Sequence, residues 1–173
     1  MITIISATNR PHSSSLKVAK NYLQLMEKQG VEVKLFSLER LPADFLISDL
    51  YSKRSDNFQQ LLNEYIIPAN KFVFIIPEYN GSFPGVLKTF LDGIPADTNR
   101  CKKAAMIGVS SGRAGNLRGM EHMTGILNYL GMHVHPNKQP ISGVLTLLDA
   151  EGKIKDENTI KVLEKHAGDV VNW

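Results

Sequence analysis

The chain has 173 residues, 43% hydrophobic and 21% charged, enough for one substantial core and expected to form a single domain over 1–173. Its net charge of +3 comes from lysines and arginines scattered along the sequence, without the basic cluster of a nucleic-acid binder, so no nucleic-acid partner is expected. No apolar run approaches the about 18 residues of a membrane span, so no membrane association is expected, and the single Cys101 excludes an internal disulfide.

The chain opens on strand-like Met1 to Ser6 with no basic leader, so a cytoplasmic protein is expected. Leu16, Ala19, Leu23 and Met26 then recur at helical spacing, and Gly30 ends that helix. Val31 to Leu35 alternates as an edge strand does. Leu38 to Ser55 carries Pro42 and reads as a long excursion, followed by a helix over Asp56 to Ala69.

Phe72 to Ile76 is an unbroken apolar run of the kind buried on both faces of a sheet. The loop Pro77 to Pro84 follows it, and a helix begins near Lys88 to Asp92. Ala104 to Val109 is a second buried strand, entered past Cys101, which reads as a bystander. An amphipathic helix from Leu117 to Leu130 stops at Gly131. Met132 to His135 reads as a short edge strand and Ile141 to Leu148 as another extended piece. Ile160, Leu163, Ala167 and Val170 mark a terminal helix. Strand and helix alternate about five times, which predicts an α/β, doubly wound, five-stranded parallel sheet in the order 2-1-3-4-5 with helices on both faces.

In that topology the loops after strands one, three and four open at one edge of the sheet, where ligands bind. The first loop offers Thr8, Ser13, Ser14 and Ser15 hydroxyls, the Arg10 fork and the free N–H groups of a helix start, a set that suits a phosphate. One serine is accounted for as a helix cap; the others are not. The second and third loops suit a flat polar heterocycle. Tyr79 packs against a ring, Asn80, Ser110 and Ser111 hydrogen-bond to it, and Gly81, Gly112 and Gly115 let the backbone approach.

Ser6-Ala7-Thr8-Asn9-Arg10…Ser13, Pro77-Glu78-Tyr79-Asn80-Gly81-Ser82…Pro84-Gly85-Val86-Leu87-Lys88 and Ser110-x-Gly112-x-x-Gly115 together resemble the motifs of the NADPH-dependent FMN reductases, over about Met1 to Pro136. The resemblance implies a flavodoxin-like fold, non-covalent FMN, NADPH or NADH as hydride donor, and a homodimer or homotetramer. Thr8, Arg10, Ser13 and Ser15 would hold the phosphate; Pro77, Glu78, Tyr79 and Asn80, with Ser110 and Gly112, would line the isoalloxazine. Small-molecule acceptors of the family include flavins, quinones, azo compounds and metal oxyanions. No catalytic side chain is implied, because the flavin carries the chemistry. Three positions depart from the family pattern: Ala7 and Asn116 stand at frequent glycines, and Gly93 stands where an aromatic is common. Asn116 is expected to adopt a left-handed conformation.

Two other functions remain open on sequence. A non-catalytic flavodoxin-like electron carrier shares the fold. A serine hydrolase would use Gly108-x-Ser110-x-Gly112 with Asp149 and His166 in chain order. His133 and His135 alternate onto one strand face, read as an ordinary wet edge rather than a metal site.

Overall fold

The computed structural model describes residues 1–51 and 53–173. Its five strands are β1 (Ile2–Ser6), β2 (Val33–Ser37), β3 (Lys71–Pro77), β4 (Lys103–Val109) and β5 (His133–Ile141). All neighbours are parallel, in the order β2-β1-β3-β4-β5 that the alternation predicts. Side chains of β3 divide by parity: Phe72, Phe74 and Ile76 enter one core, Val73 and Ile75 the other. Both faces are therefore buried. Each fully buried large apolar side chain contributes about 1.5–3 kcal/mol.

One face is covered by α1 (Ser14–Glu27) and α7 (Glu157–Asn172), through Val18, Tyr22, Met26, Leu163 and Val170. The other carries α2 (Phe45–Ser48), α3 (Asp56–Leu61), α4 (Gly85–Gly93) and α5 (Leu117–Tyr129), through Phe45, Phe58, Phe90 and Met120. A single turn, α6 (Val144–Leu147), follows β5. At the amino ends of the strands three lysines, Lys71 and Lys103 opening β3 and β4 and Lys102 just before β4, cap helix carbonyls. Lys71 Nζ donates to Val170 O (3.0 Å) and Val171 O (2.7 Å), Lys102 Nζ to Ile66 O (2.7 Å) and Ile67 O (3.0 Å), and Lys103 Nζ to Trp173 O. Cations there meet the negative end of the helix dipole.

The structure corrects the expected elements at four places. Helix α3 ends at Leu61, and Leu62–Ile66 widens into a π-turn closed by Ile67 N–H donating to Leu62 O. The Thr3 hydroxyl, donating to Tyr65 O at 2.7 Å, satisfies a carbonyl that the wider turn leaves free. Strand β5 is one long strand rather than two pieces, and the second piece is instead α6. A bulge between the Ala104 and Met106 pairings absorbs Pro136, which an edge strand tolerates because one ladder is missing. Gly93 ends α4 against the Phe45 ring of the excursion, where a Cβ would lie 2.9 Å from Phe45 Cζ. His135 is buried, not wet: α7 and the Trp173 ring, 4.8 Å away, cover it, whereas His133 is exposed.

His135 also packs edge-on against His166, whose Nδ1 lies 2.8 Å from the Tyr22 hydroxyl. Burial, reinforced by Asp169, pushes the Tyr22 phenol well above its ordinary value, so it stays protonated and donates. Burial, then His135, pushes His166 down to about 4 from 6.5. His166 is thus folded neutral. Between pH 6.5 and 4 the unfolded chain binds the extra proton, so stability present at neutral pH is lost on acidification, by about 3 kcal/mol at this residue. Urea melts of the wild type and His166→Gln at pH 7.5 and 4.5 should show a smaller acid loss in the variant; equal losses would remove His166 from the account. A second test concerns Gly108 in β4, where a Cβ would sit 2.1 Å from Gly115 O and 2.8 Å from Met120 Cε. Gly108→Ala should cost about 3 kcal/mol, whereas Gly112→Ala, with open space around it, should stay within about 0.5 kcal/mol by the same melts.

Candidate functional site

Parallel register brings Ser6 beside Ile75, Pro77 beside Val109 and Val109 beside Ile141, so four strands release their loops at one edge. These loops enclose a cavity of about 450 Å³. Arg10, Ser13, Ser14, Ser15, Pro77, Glu78, Tyr79, Ser110 and Ser111 line it, and the loop between β1 and α1 adds Pro11 and His12.

The first loop is anchored by the protein's own hydrogen bonds. Its Thr8 hydroxyl, fully buried, accepts the Arg10 N–H at 3.2 Å and lies 2.9 Å from the Tyr79 hydroxyl. Glu39, from a turn just past β2, accepts the His12 N–H at 3.0 Å and holds that residue in a left-handed conformation. Ser13 caps α1 by accepting Leu16 N–H at 3.2 Å, and Ser15 donates to Ser13 Oγ at 3.1 Å. Among the described residues the Ser14 and Ser15 N–H groups have no protein partner, and Arg10 makes no ion pair. A helix N-terminus with free donors beside an unpaired guanidinium is an anion site by its chemistry.

The second loop is a two-residue hairpin turn. Tyr79 and Ser82 exchange backbone hydrogen bonds of 2.9 and 3.0 Å, and Asn80 and Gly81 between them both have positive φ, at 51° and 74°. Asn-Gly is the sequence that a type I′ turn prefers. The turn is pinned from below, since a Cβ on Gly81 would lie 2.7 Å from Arg118 Nη1. Glu78 N–H donates to Val109 O at 2.8 Å, so its backbone continues the sheet while its side chain is exposed at the rim.

In the third loop the Ser110 hydroxyl donates to Gly112 O and accepts Gly115 N–H, both at 3.0 Å. Gly115 is buried with φ +55°, and a Cβ would lie 2.5 Å from Pro140 Cβ. Its glycine serves the packing of the loop on β5. Asn116 is left-handed at φ 59°, as expected; its Oδ1 accepts Gly119 N–H and its Nδ2 donates to Ile76 O at 3.1 Å, tying α5 to β3. The N–H groups of Ser111, Gly112 and Arg113 are without partners among the described residues.

Four expected residues, Thr8, Asn80, Gly112 and Gly115, do not line the cavity wall; they shape the loops that do. Val144 and Leu145 of α6, which do line it, were not expected. Their signal was the Ser142-Gly143 pair after a strand, which matches the Gly81-Ser82 and Ser111-Gly112 pairs of the second and third loops, and which an extended Ile141 to Leu148 conceals. The hydrolase alternative loses its geometry. Ser110 donates its proton to a carbonyl, and His166 is bonded to Tyr22 on the α7 face with its neighbour His135 near the start of β5.

The donor set fits a phosphorylated flat heterocycle, and the chain's relatives are consistent with that chemistry. Across its whole length the fold matches a flavoenzyme NAD(P)H:(acceptor) oxidoreductase of Paracoccus denitrificans, with a TM-score of 0.80, 24% identity and coverage of 99% of this chain and 95% of that one. In sequence, the chain is 29% identical over 150 residues to an NAD(P)H-dependent FMN reductase of Pseudomonas aeruginosa, covering 83% of this chain and 79% of the relative. It is also 29% identical over 133 residues to a 2-hydroxy-1,4-benzoquinone reductase of a Burkholderia species, covering 74% and 73%. The family model described as NADPH-dependent FMN reductase matches residues 1–144, all four loop-bearing strands included, and the chain belongs to that family.

Proposed function

We propose that the chain is an NAD(P)H-dependent oxidoreductase that binds FMN non-covalently in this cavity and reduces a small-molecule acceptor. The observation that carries the reading is the cluster of donors on one cavity that are unpartnered among the described residues: the Ser14 and Ser15 N–H groups beside Arg10, and the Ser111 N–H from the third loop. When bound, FMN supplies the redox chemistry, taking hydride from the nicotinamide and passing it to the acceptor.

The chain's own work is to bind, orient and stabilise. Arg10 and the α1 N-terminus, with Ser13 to Ser15, would hold the phosphate. The Tyr79 turn and the Pro77–Glu78 backbone would support the ring, and Ser111 and Gly112 N–H groups would donate to its polar edge, where reduction adds negative charge. Fixed backbone donors need no rearrangement as that charge develops. Glu78 and Tyr79 then position and do not transfer protons.

The acceptor is a small molecule of the quinone, azo, flavin or metal-oxyanion kind, a reading that the similarity to a 2-hydroxy-1,4-benzoquinone reductase supports for the quinones. Exposed Leu46 (67%), Ile47 (89%) and Tyr51 (88%) in the excursion, and Tyr129 (91%) on α5, support a homodimer or homotetramer. The single exposed free thiol of Cys101 suits a cytoplasmic setting. Among the described residues no helix is long and apolar enough to cross a membrane.

Equilibrium titration of the apoprotein with FMN, followed by quenching of flavin fluorescence, tests the site. Arg10→Met removes a charged donor worth about 1.5 kcal/mol and should weaken FMN roughly tenfold without lowering the melting temperature. Tyr79→Phe removes the hydroxyl contact with Thr8 and should weaken FMN by about fivefold, with a stability loss of about 1 kcal/mol. Wild-type protein that takes up no FMN, or variants indistinguishable from it, would overturn the placement.

A further inference from the structure

A second groove of about 280 Å³ starts where the first cavity ends. It shares His12 and Ser13 with it and runs along the outer face of α1 to the turn at 149–153. Its wall is built rather than incidental. Asn21 Nδ2 donates to Lys17 O at 2.8 Å and to Gly152 O at 2.9 Å, and its Oδ1 accepts Ile154 N–H at 3.0 Å, clasping helix to turn. The turn is closed on itself by Asp149, which accepts Lys153 N–H at 2.8 Å and, through its carbonyl, Gly152 N–H at 3.1 Å. Gly152 has φ +81°, and a Cβ there would lie 3.0 Å from Lys17 Cδ, so the Lys17 stem lies directly against the turn.

The charge of this groove is unbalanced. Lys17, Lys20 and Lys153 line it with one carboxylate, Glu151, leaving three positive charges against one negative. None of the three lysines has a carboxylate within 4.0 Å among the described residues. Lys88 and Lys138, by contrast, are held in ion pairs and Lys71, Lys102 and Lys103 on helix carbonyls; what sets Lys17, Lys20 and Lys153 apart from other unpaired surface lysines is that they line one groove. Ammonium groups left free along one groove form a point-charge field that attracts anions such as phosphates.

We propose that this groove is a second anion subsite, which holds the phosphates of the adenylate half of a dinucleotide whose other half lies in the first cavity. The inference rests on the flavin reading of that cavity. Continuity through His12 and Ser13 carries it: a ligand leaving the phosphate cradle at the α1 N-terminus meets these lysines next. The shared chemistry, an adenosine phosphate, is supplied either by the hydride donor or by a flavin dinucleotide.

The test uses the full chain and the triple variant Lys17→Gln/Lys20→Gln/Lys153→Gln, whose substitutions lie outside the FMN cradle. Three binding constants are measured for each protein. FMN and flavin adenine dinucleotide are titrated into apoprotein by fluorescence quenching, and adenosine 2′,5′-bisphosphate into FMN-loaded protein by calorimetry. The expected result is an FMN constant changed less than twofold and a tenfold or greater loss for one adenylate ligand. Loss for the bisphosphate identifies the hydride donor as the source; loss for the flavin dinucleotide identifies the flavin. Unchanged affinity for both adenylate ligands, or an equal loss for all three, overturns the subsite while leaving FMN binding to the wild type intact. Wild-type protein that binds no FMN overturns the flavin reading and the subsite with it.

Discussion

Strand β3 is buried on both faces and paired on both sides, and the rest of the structure follows from satisfying it. Its backbone groups need parallel partners, which β1 and β4 supply in a register that aligns their carboxyl ends. Its side chains need two apolar layers, which α1 with α7 and α2 to α5 provide. Once those demands are met, the loops after β1, β3, β4 and β5 have one place to go. A cavity forms where they meet, lined mainly by loop residues, with Val109 and Val144 shared between its wall and the core.

The polar groups around that cavity divide into two populations. Some are consumed in building the loops: Thr8 with Tyr79, Ser13 with Leu16, Ser110 with Gly112 and Gly115, Asn116 with Ile76. The others, mainly backbone N–H groups of Ser14, Ser15, Ser111 and Gly112, have no partner among the described residues. Buried hydroxyls that already hold a loop make it rigid, and rigidity lets the free donors act without a reorganisation cost. The site is therefore a set of fixed dipoles beside the exposed guanidinium of Arg10. This division also disposes of Ser110 as a nucleophile, since its proton is engaged in the loop.

Much of this was legible in the sequence because local and global signals agreed. The Phe72 to Ile76 run read as a doubly buried strand and is one; Asn80-Gly81 carries the composition of the turn it forms; Asn116 takes the left-handed conformation that its departure from glycine required. What was not legible depended on contacts distant in the chain. The π-turn at Leu62–Ile66 accompanies a Thr3 hydroxyl about sixty positions away on β1, and no periodicity records it. The burial of His135 depends on where α7 lies, and the role of Gly93 depends on Phe45 from the excursion. Likewise Val144 and Leu145 were missed because a one-turn helix after an edge strand has too few residues to show a period. Serine and glycine residues in the loops were correctly gathered at one edge, but composition alone did not separate those facing the cavity from those holding it.

On the proposed function, the cavity holds a flavin which the chain reduces with a nicotinamide nucleotide, and not merely a flavin that exchanges electrons with protein partners. Anaerobic mixing of the FMN-loaded protein with NADPH or NADH alone, followed through the visible absorbance of the flavin, tests it most directly. Rapid bleaching without any added protein, and recovery of the absorbance when a quinone is then admitted, is the predicted result. A flavin that binds but keeps its colour with both nucleotides would contradict the account and leave an electron carrier in its place.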